Sequence, residues 1–107
     1  MELHYLTPKI RRATIDGKAA TKMLGEDLAR SYHSLIADMR GAIYLHEVPD
    51  EPKVNWAEGK IGLSYPLGDS AVVEVEPIGA GVINTTNWGD VHRVKLLRIL
   101  NNGKLLA

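Results

Sequence analysis

The chain has 107 residues, 45% hydrophobic and 24% charged, which bounds it to a single domain, residues 1–107, with one core of ordinary soluble composition. Thirteen basic residues balance thirteen acidic ones and both signs run through the whole chain, so no global field draws it onto nucleic acid. The absence of cysteine excludes disulfides, thiolate catalysis and cysteine-ligated zinc, and it fits a reducing compartment.

The first predicted element is a short strand, Leu3-His4-Tyr5-Leu6, stopped by Thr7-Pro8. Thr7 is placed to cap a helix and Pro8 to occupy its first turn, where a missing N–H costs nothing. No basic-then-apolar leader precedes this strand, and no apolar run reaches the ~18 residues of a membrane span, so the expectation is a cytoplasmic protein with no membrane contact. Lys9 to Met23 is helix-permissive, with a weak point at Gly17. A second helix is predicted from Glu26 to Arg40. Leu28, Tyr32, Leu35, Ile36 and Met39 share one face of a 3.6-residue repeat, acids stand at its start, Arg40 stands at its end, and Gly41 stops it. The two helices form an antiparallel hairpin.

Residues 44–60 read as a loop, because Pro49-Asp50-Glu51-Pro52 interrupts any regular element. Lys60 to Tyr65 and Ala71 to Glu76 alternate as strands around a Pro66–Asp69 turn, with Val73 and Val75 on one face and Glu74 and Glu76 on the other. Residues 77–87 form a second loop, in which Asn84-Thr85-Thr86 is read as loop chemistry. Val91 to Leu100 is the longest strand, apolar on both faces and therefore expected at the centre of the sheet. The expected fold class is α+β, in the order β-α-α-β-β-β, with a helical hairpin on a small, mostly antiparallel sheet.

Several phrases in this order carry a resemblance. Tyr5-Leu6-Thr7-Pro8-Lys9-Ile10-Arg11-Arg12, Leu24-Gly25, Leu45-His46-Glu47-Val48-Pro49, Glu76-Pro77 and the frame from Trp88 to Leu100 together resemble the HigB-like branch of the RelE/HigB toxins of type II toxin–antitoxin systems. The resemblance implies the RelE-like arrangement of the elements above. It also implies metal-independent and cofactor-free cleavage of mRNA on the ribosome, with the RNA 2′-hydroxyl as nucleophile, and an antitoxin protein as partner. The chain departs from the pattern where that chemistry sits. The family's closing Asp-Tyr-His stands here as Asn101-Asn102-Gly103. A Tyr-Arg pair ahead of Glu76-Pro77 is replaced by Ala71-Val72, and a basic loop is reduced to Trp56-Ala57-Glu58-Gly59-Lys60.

Such a reaction needs a base for the 2′-hydroxyl, an acid for the leaving oxygen and cations around the phosphate. The remaining proton-transfer candidates are His92, Lys60 and Tyr65; His92 leads because imidazole titrates near neutrality. The candidates for contact with RNA or with a partner are Arg11, Arg12, Arg93, Lys95 and Arg98. Strict alternation puts Arg93 and Lys95 on one face of the last strand and Arg98 on the other, so the three are not expected to converge. Solvated surface charge is the plainer reading of all five. Glu74 and Glu76 are read as solvated carboxylates, and the four histidines lack metal-ligand spacing, so no metal is expected. Two functions fit these residues. One is a toxin-like component whose cleavage is weak or lost. The other is a non-catalytic toxin-fold protein, of phage or mobile-element type, that works through a protein partner.

Overall fold

The computed structural model describes residues 1–107 and is α+β, with three helices and a mixed six-stranded sheet. The chain runs β1 (Glu2–Tyr5), α1 (Pro8–Ile15), α2 (Gly17–Leu24), α3 (Glu26–Gly41), β2 (Lys53–Ala57), β3 (Lys60–Leu67), β4 (Ala71–Ile78), β5 (Arg93–Asn101) and β6 (Lys104–Leu105). The strand order is β1-β5-β4-β3-β2. β1 lies parallel to β5, the other pairs are antiparallel, and β6 extends the β1 side of β5 from its far end.

Local signals explain the helices. Thr7 accepts the Ile10 N–H at 3.2 Å, with Pro8 in the first turn of α1. The predicted helix 9–23 is divided in two because Asp16 leaves helical geometry and its side chain accepts the N–H groups of Lys18 and Ala19. Gly25, at φ 83°, separates α2 from α3 in a conformation open to glycine. In α3 the predicted stripe is buried at Tyr32, Leu35, Ile36 and Met39, with Ala29 sealed and Leu28 half-buried at its edge.

The helices cover one face of the sheet. There Ile61, Leu63, Tyr65 and Leu67 of β3, Ala71, Val73 and Val75 of β4, and Val94, Leu96 and Ile99 of β5 join the α1 and α3 side chains in one core. Each fully buried side chain of this size contributes roughly 1.5–3 kcal/mol. β5 is central, as its apolar character predicts.

Three features differ from the sequence expectation. The segment 44–60 is not all loop: Lys53–Ala57 forms β2, and Glu58-Gly59, at φ 54° and 74°, makes the tight turn into β3. The chain does not end after its last long strand. Asn102 and Gly103, at φ 50° and 81°, form a second turn of that kind and β6 folds back on β5. Finally, the β4–β5 register steps from Glu74↔Arg98 to Val75↔Leu96, so Leu97 is an extra, bulged residue. The bulge shifts the alternation by one. Val94, Leu96 and Ile99 all point into the core, and Arg98 returns to the open face with Arg93 and Lys95. The expectation that Arg98 lies on the opposite face from Arg93 and Lys95 is thereby corrected.

Candidate functional site

The open face of the sheet collects the polar residues of β1, β3, β4 and β5. Several of its charges are paired in place. Arg93 Nε meets Glu2 Oε2 at 2.8 Å, and His4 Nε2 stands 3.2 Å from Glu2 Oε1. Arg98 Nη1 donates to Glu74 Oε1 at 2.5 Å, and Lys95 is in register with Glu76. A shallow trough of about 230 Å³ crosses this face. Gly62 and Ser64 lie along it, and Lys60, Glu74, Glu76 and Arg98 stand around it. Its cations therefore come with carboxylates between them, which is a poor match for phosphate.

A larger cleft, about 1150 Å³, opens where the end of α3, the start of β1 and the β4–β5 connection meet. Ile43, Ile78 and Ile83 supply apolar wall, while Arg40, Asp90 and His92 supply polar groups. The connection is tied down by its own side chains. Asn84 Oδ1 accepts from Thr86 N, Thr86 Oγ1 and Asn87 N, and Asn87 Oδ1 accepts from Asn84 N. The sequon residues thus serve as turn chemistry. His92 Nδ1 lies 3.3 Å from the Ile43 carbonyl, and its ring sits 4.7 Å from Tyr44, which stacks on His46. Gly89 is required beside this cluster, since a Cβ there would stand 2.8 Å from His46 Cβ. Tyr44 and His46 are near neighbours in the chain, but His92 joins them from a distant part of it, and no sequence spacing could have brought it there.

The three proton-transfer candidates are not brought together. His92 lines the larger cleft, Lys60 stands at the trough beside the β2–β3 turn, and Tyr65 is sealed in the core. Burial pushes the Tyr65 hydroxyl well above the ordinary tyrosine range, and the negative charge of Asp50 adds to the shift. Its oxygen has no hydrogen-bond partner. A neutral, enclosed phenol cannot exchange a proton with a bound polymer. The five cationic candidates also divide. Arg93, Lys95 and Arg98 lie on the open face, whereas Arg11 and Arg12 are exposed on α1, on the helix side of the sheet, and make no ion pair. No three His, Asp or Glu side chains converge as a cation cage requires. Comparison with protein-family models, with characterised proteins and with solved structures finds no match for the chain.

Proposed function

We propose that this protein is a toxin-like component of a type II toxin–antitoxin pair, on a RelE/HigB-like domain whose ribonuclease chemistry is lost, and that it works by binding a protein partner in the cytoplasm. The resemblance of the ordered phrases from Tyr5 to Leu100 supports the first half of this reading. The observation that carries the second half is the tight turn at Asn102-Gly103. Where HigB-like chains close on Tyr and His, this chain uses two residues with positive φ to reverse direction. Their side chains are an amide and a hydrogen, and neither moves a proton at neutral pH.

The electrostatics agree. An arginine clamp stabilises a phosphoryl transition state by meeting charge that nothing else answers. Arg93 and Arg98 already face Glu2 and Glu74. General acid–base catalysis contributes about 10²–10⁴-fold and oriented electrostatics about 10²–10³-fold. Losing both leaves cleavage near the uncatalysed background. A protein partner makes no comparable demand, because net neutrality does not weaken contacts that bury apolar surface.

The test has two arms. In a purified translation system the protein yields no codon-specific cuts, and with the product of the adjacent gene it forms a stoichiometric complex that survives moderate salt. Cuts at rates usual for such toxins, abolished by His92→Ala, would overturn the loss of catalysis. Binding only to ribosomes or mRNA, with affinity collapsing as salt rises, would overturn the protein-partner reading.

A further inference from the structure

The two edges of the sheet are unlike. On one, β5 is flanked by two short strands placed end to end, β1 over Arg93–Leu96 and β6 over Leu100–Asn101, with the Leu97 bulge falling between them. Short, interrupted edges of this kind are poor templates for another chain. The other edge is β2, continuous over Lys53–Ala57 and exposed at every residue. It carries Val54, 36% exposed, and Trp56, 51% exposed.

The turn into β3 decides which backbone groups this edge offers. Ala57 and Lys60 close a two-residue turn, and the closing pair of such a turn exchanges both its backbone hydrogen bonds. The pattern alternates along the ladder. Lys53, Asn55 and Ala57 therefore turn their N–H and C=O groups toward β3, and Val54 and Trp56 turn theirs outward. The two residues with free backbone groups are thus also the two with exposed apolar side chains. Both side chains stand on the helix side of the sheet, opposite the buried Leu63 and Ile61.

We propose that this edge pairs with β2 of a second copy of the chain, antiparallel and centred on Asn55. In that register Val54 of each copy faces Trp56 of the other, and each such pair exchanges both its outward backbone bonds. The indole of one copy covers the valine of its mate, an aromatic–β-branched pairing of the kind that stabilises adjacent strands. The Asn55 side chains meet on the open face, where two amides donate to and accept from each other. Lys53 faces Ala57, so no like charges stand opposite one another. Shifting the register by one residue places Val54 against Ala57 and pairs inward-facing groups with outward-facing ones, and shifting it by two leaves a single outward-facing pair within β2, so the Asn55-centred register makes the most backbone bonds. The strand is short, so the interface belongs to the small, concentration-dependent class, below about 1,200 Å². This dimer does not depend on the toxin-like reading; a negative or positive cleavage assay leaves it unchanged.

Sedimentation equilibrium over about 1 μM to 1 mM, the span of weak self-association, tests it on the full chain. The expected result is a monomer–dimer equilibrium, with amide exchange slowing at Val54 and Trp56 as concentration rises while Asn55 and Ala57 stay protected throughout. Val54→Pro removes one outward N–H without touching the bonds to β3, and it should leave a monomer with an unchanged circular dichroism spectrum. Trp56→Lys provides the second variant if proline disturbs the fold, since it removes the apolar cover and leaves the backbone intact; dimerisation should fall at least tenfold. A monomer at every concentration overturns the proposal. So does a dimer that both variants leave intact, or exchange protection that appears on β1 or β6 in place of β2.

Discussion

On the helix-covered face of the sheet Val73, Val75, Val94, Leu96 and Ile99 are sealed from solvent, whereas on the open face Val72, Glu74, Glu76, Lys95 and Arg98 of the same two strands stay half-exposed. Apart from the bulge at Leu97 the two sets alternate along the strands, so the backbone is common to both and only the side chains differ. The covered face has apolar side chains with almost no polar partners to satisfy. The open face has charges, of which Arg93, Arg98 and His4 find an opposite within the sheet. Stability is therefore concentrated on one face, and the other is free to change its charges at little cost to the fold. That is the condition under which a surface can change its chemistry while its scaffold persists.

The largest effect should come from the covered face. Leu35 of α3 is fully enclosed between the helix and the sheet. Leu35→Ala should cost about 2–5 kcal/mol, the range for large-to-small changes in a core. Denaturant unfolding reads this directly, and an unmoved midpoint would mean that α3 does not rest on the sheet as described.

Two tyrosines sharpen the contrast within the core. Tyr32 donates its hydroxyl proton to Thr14 Oγ1 at 2.6 Å, and Thr14 donates in turn to the Ile10 carbonyl at 2.7 Å. Burial pushes the Tyr32 pKa up to about 12. The unfolded chain releases this proton near the usual tyrosine value of about 10. Above that pH the unfolded state binds fewer protons than the folded one, so stability falls as pH rises from about 10 to 12. Below pH 10 this group contributes no slope. Tyr65, also raised by burial, adds to the same alkaline loss. The substitutions separate the two. Tyr32→Phe should cost about 0.5–1.5 kcal/mol for a lost hydrogen bond. Tyr65→Phe should be neutral or stabilising, since the oxygen it removes is buried without a partner. Thermal melts at pH 7 and pH 10.5 check both statements. A large loss in Tyr65→Phe would assign that hydroxyl a role that its surroundings do not reveal.

How much of this was legible in the sequence follows the same division. The spacing of Tyr32, Leu35, Ile36 and Met39 announced a buried helical face, and the apolar character of Val91–Leu100 announced a central strand. β2 was hidden by the Pro49–Pro52 break just ahead of it, although Lys53-Val54-Asn55-Trp56 alternates polar and apolar and Glu58-Gly59 is a turn dipeptide. Asn102-Gly103 is the stronger form of that signal, yet set against a family frame it reads first as two missing catalytic residues. In the structure the pair is the turn, reversing the chain so that β6 folds back on β5. Tyr65 reads as a proton-transfer candidate, although it shares a strand face with Ile61 and Leu63 and lies with them in the core. No period-two argument could foresee the bulge at Leu97, because the pattern around it is apolar on both sides. The cluster of Tyr44, His46 and His92 depends on the path of a loop that the local sequence does not dictate.

The smallest effect tests the open face itself. Glu74 and Arg98 form its shortest ion pair, with side chains 31% and 41% exposed. At that exposure solvent screens the attraction and both side chains lose rotamer freedom, so the pair should contribute about 0.2–1 kcal/mol. A double-mutant cycle with Glu74→Gln and Arg98→Gln isolates the coupling from the effect of either change alone. The coupling should shrink further in 0.5–1 M salt, where the Debye length falls to about 3–4 Å. A coupling above about 2 kcal/mol that ignored salt would break the comparison. Glu74 and Arg98 would then be structural in the way Leu35 is, and the open face would no longer be free to exchange one chemistry for another. A small, salt-sensitive value keeps the two faces distinct, and it makes the open face the place where changes of charge would be tolerated without loss of the fold.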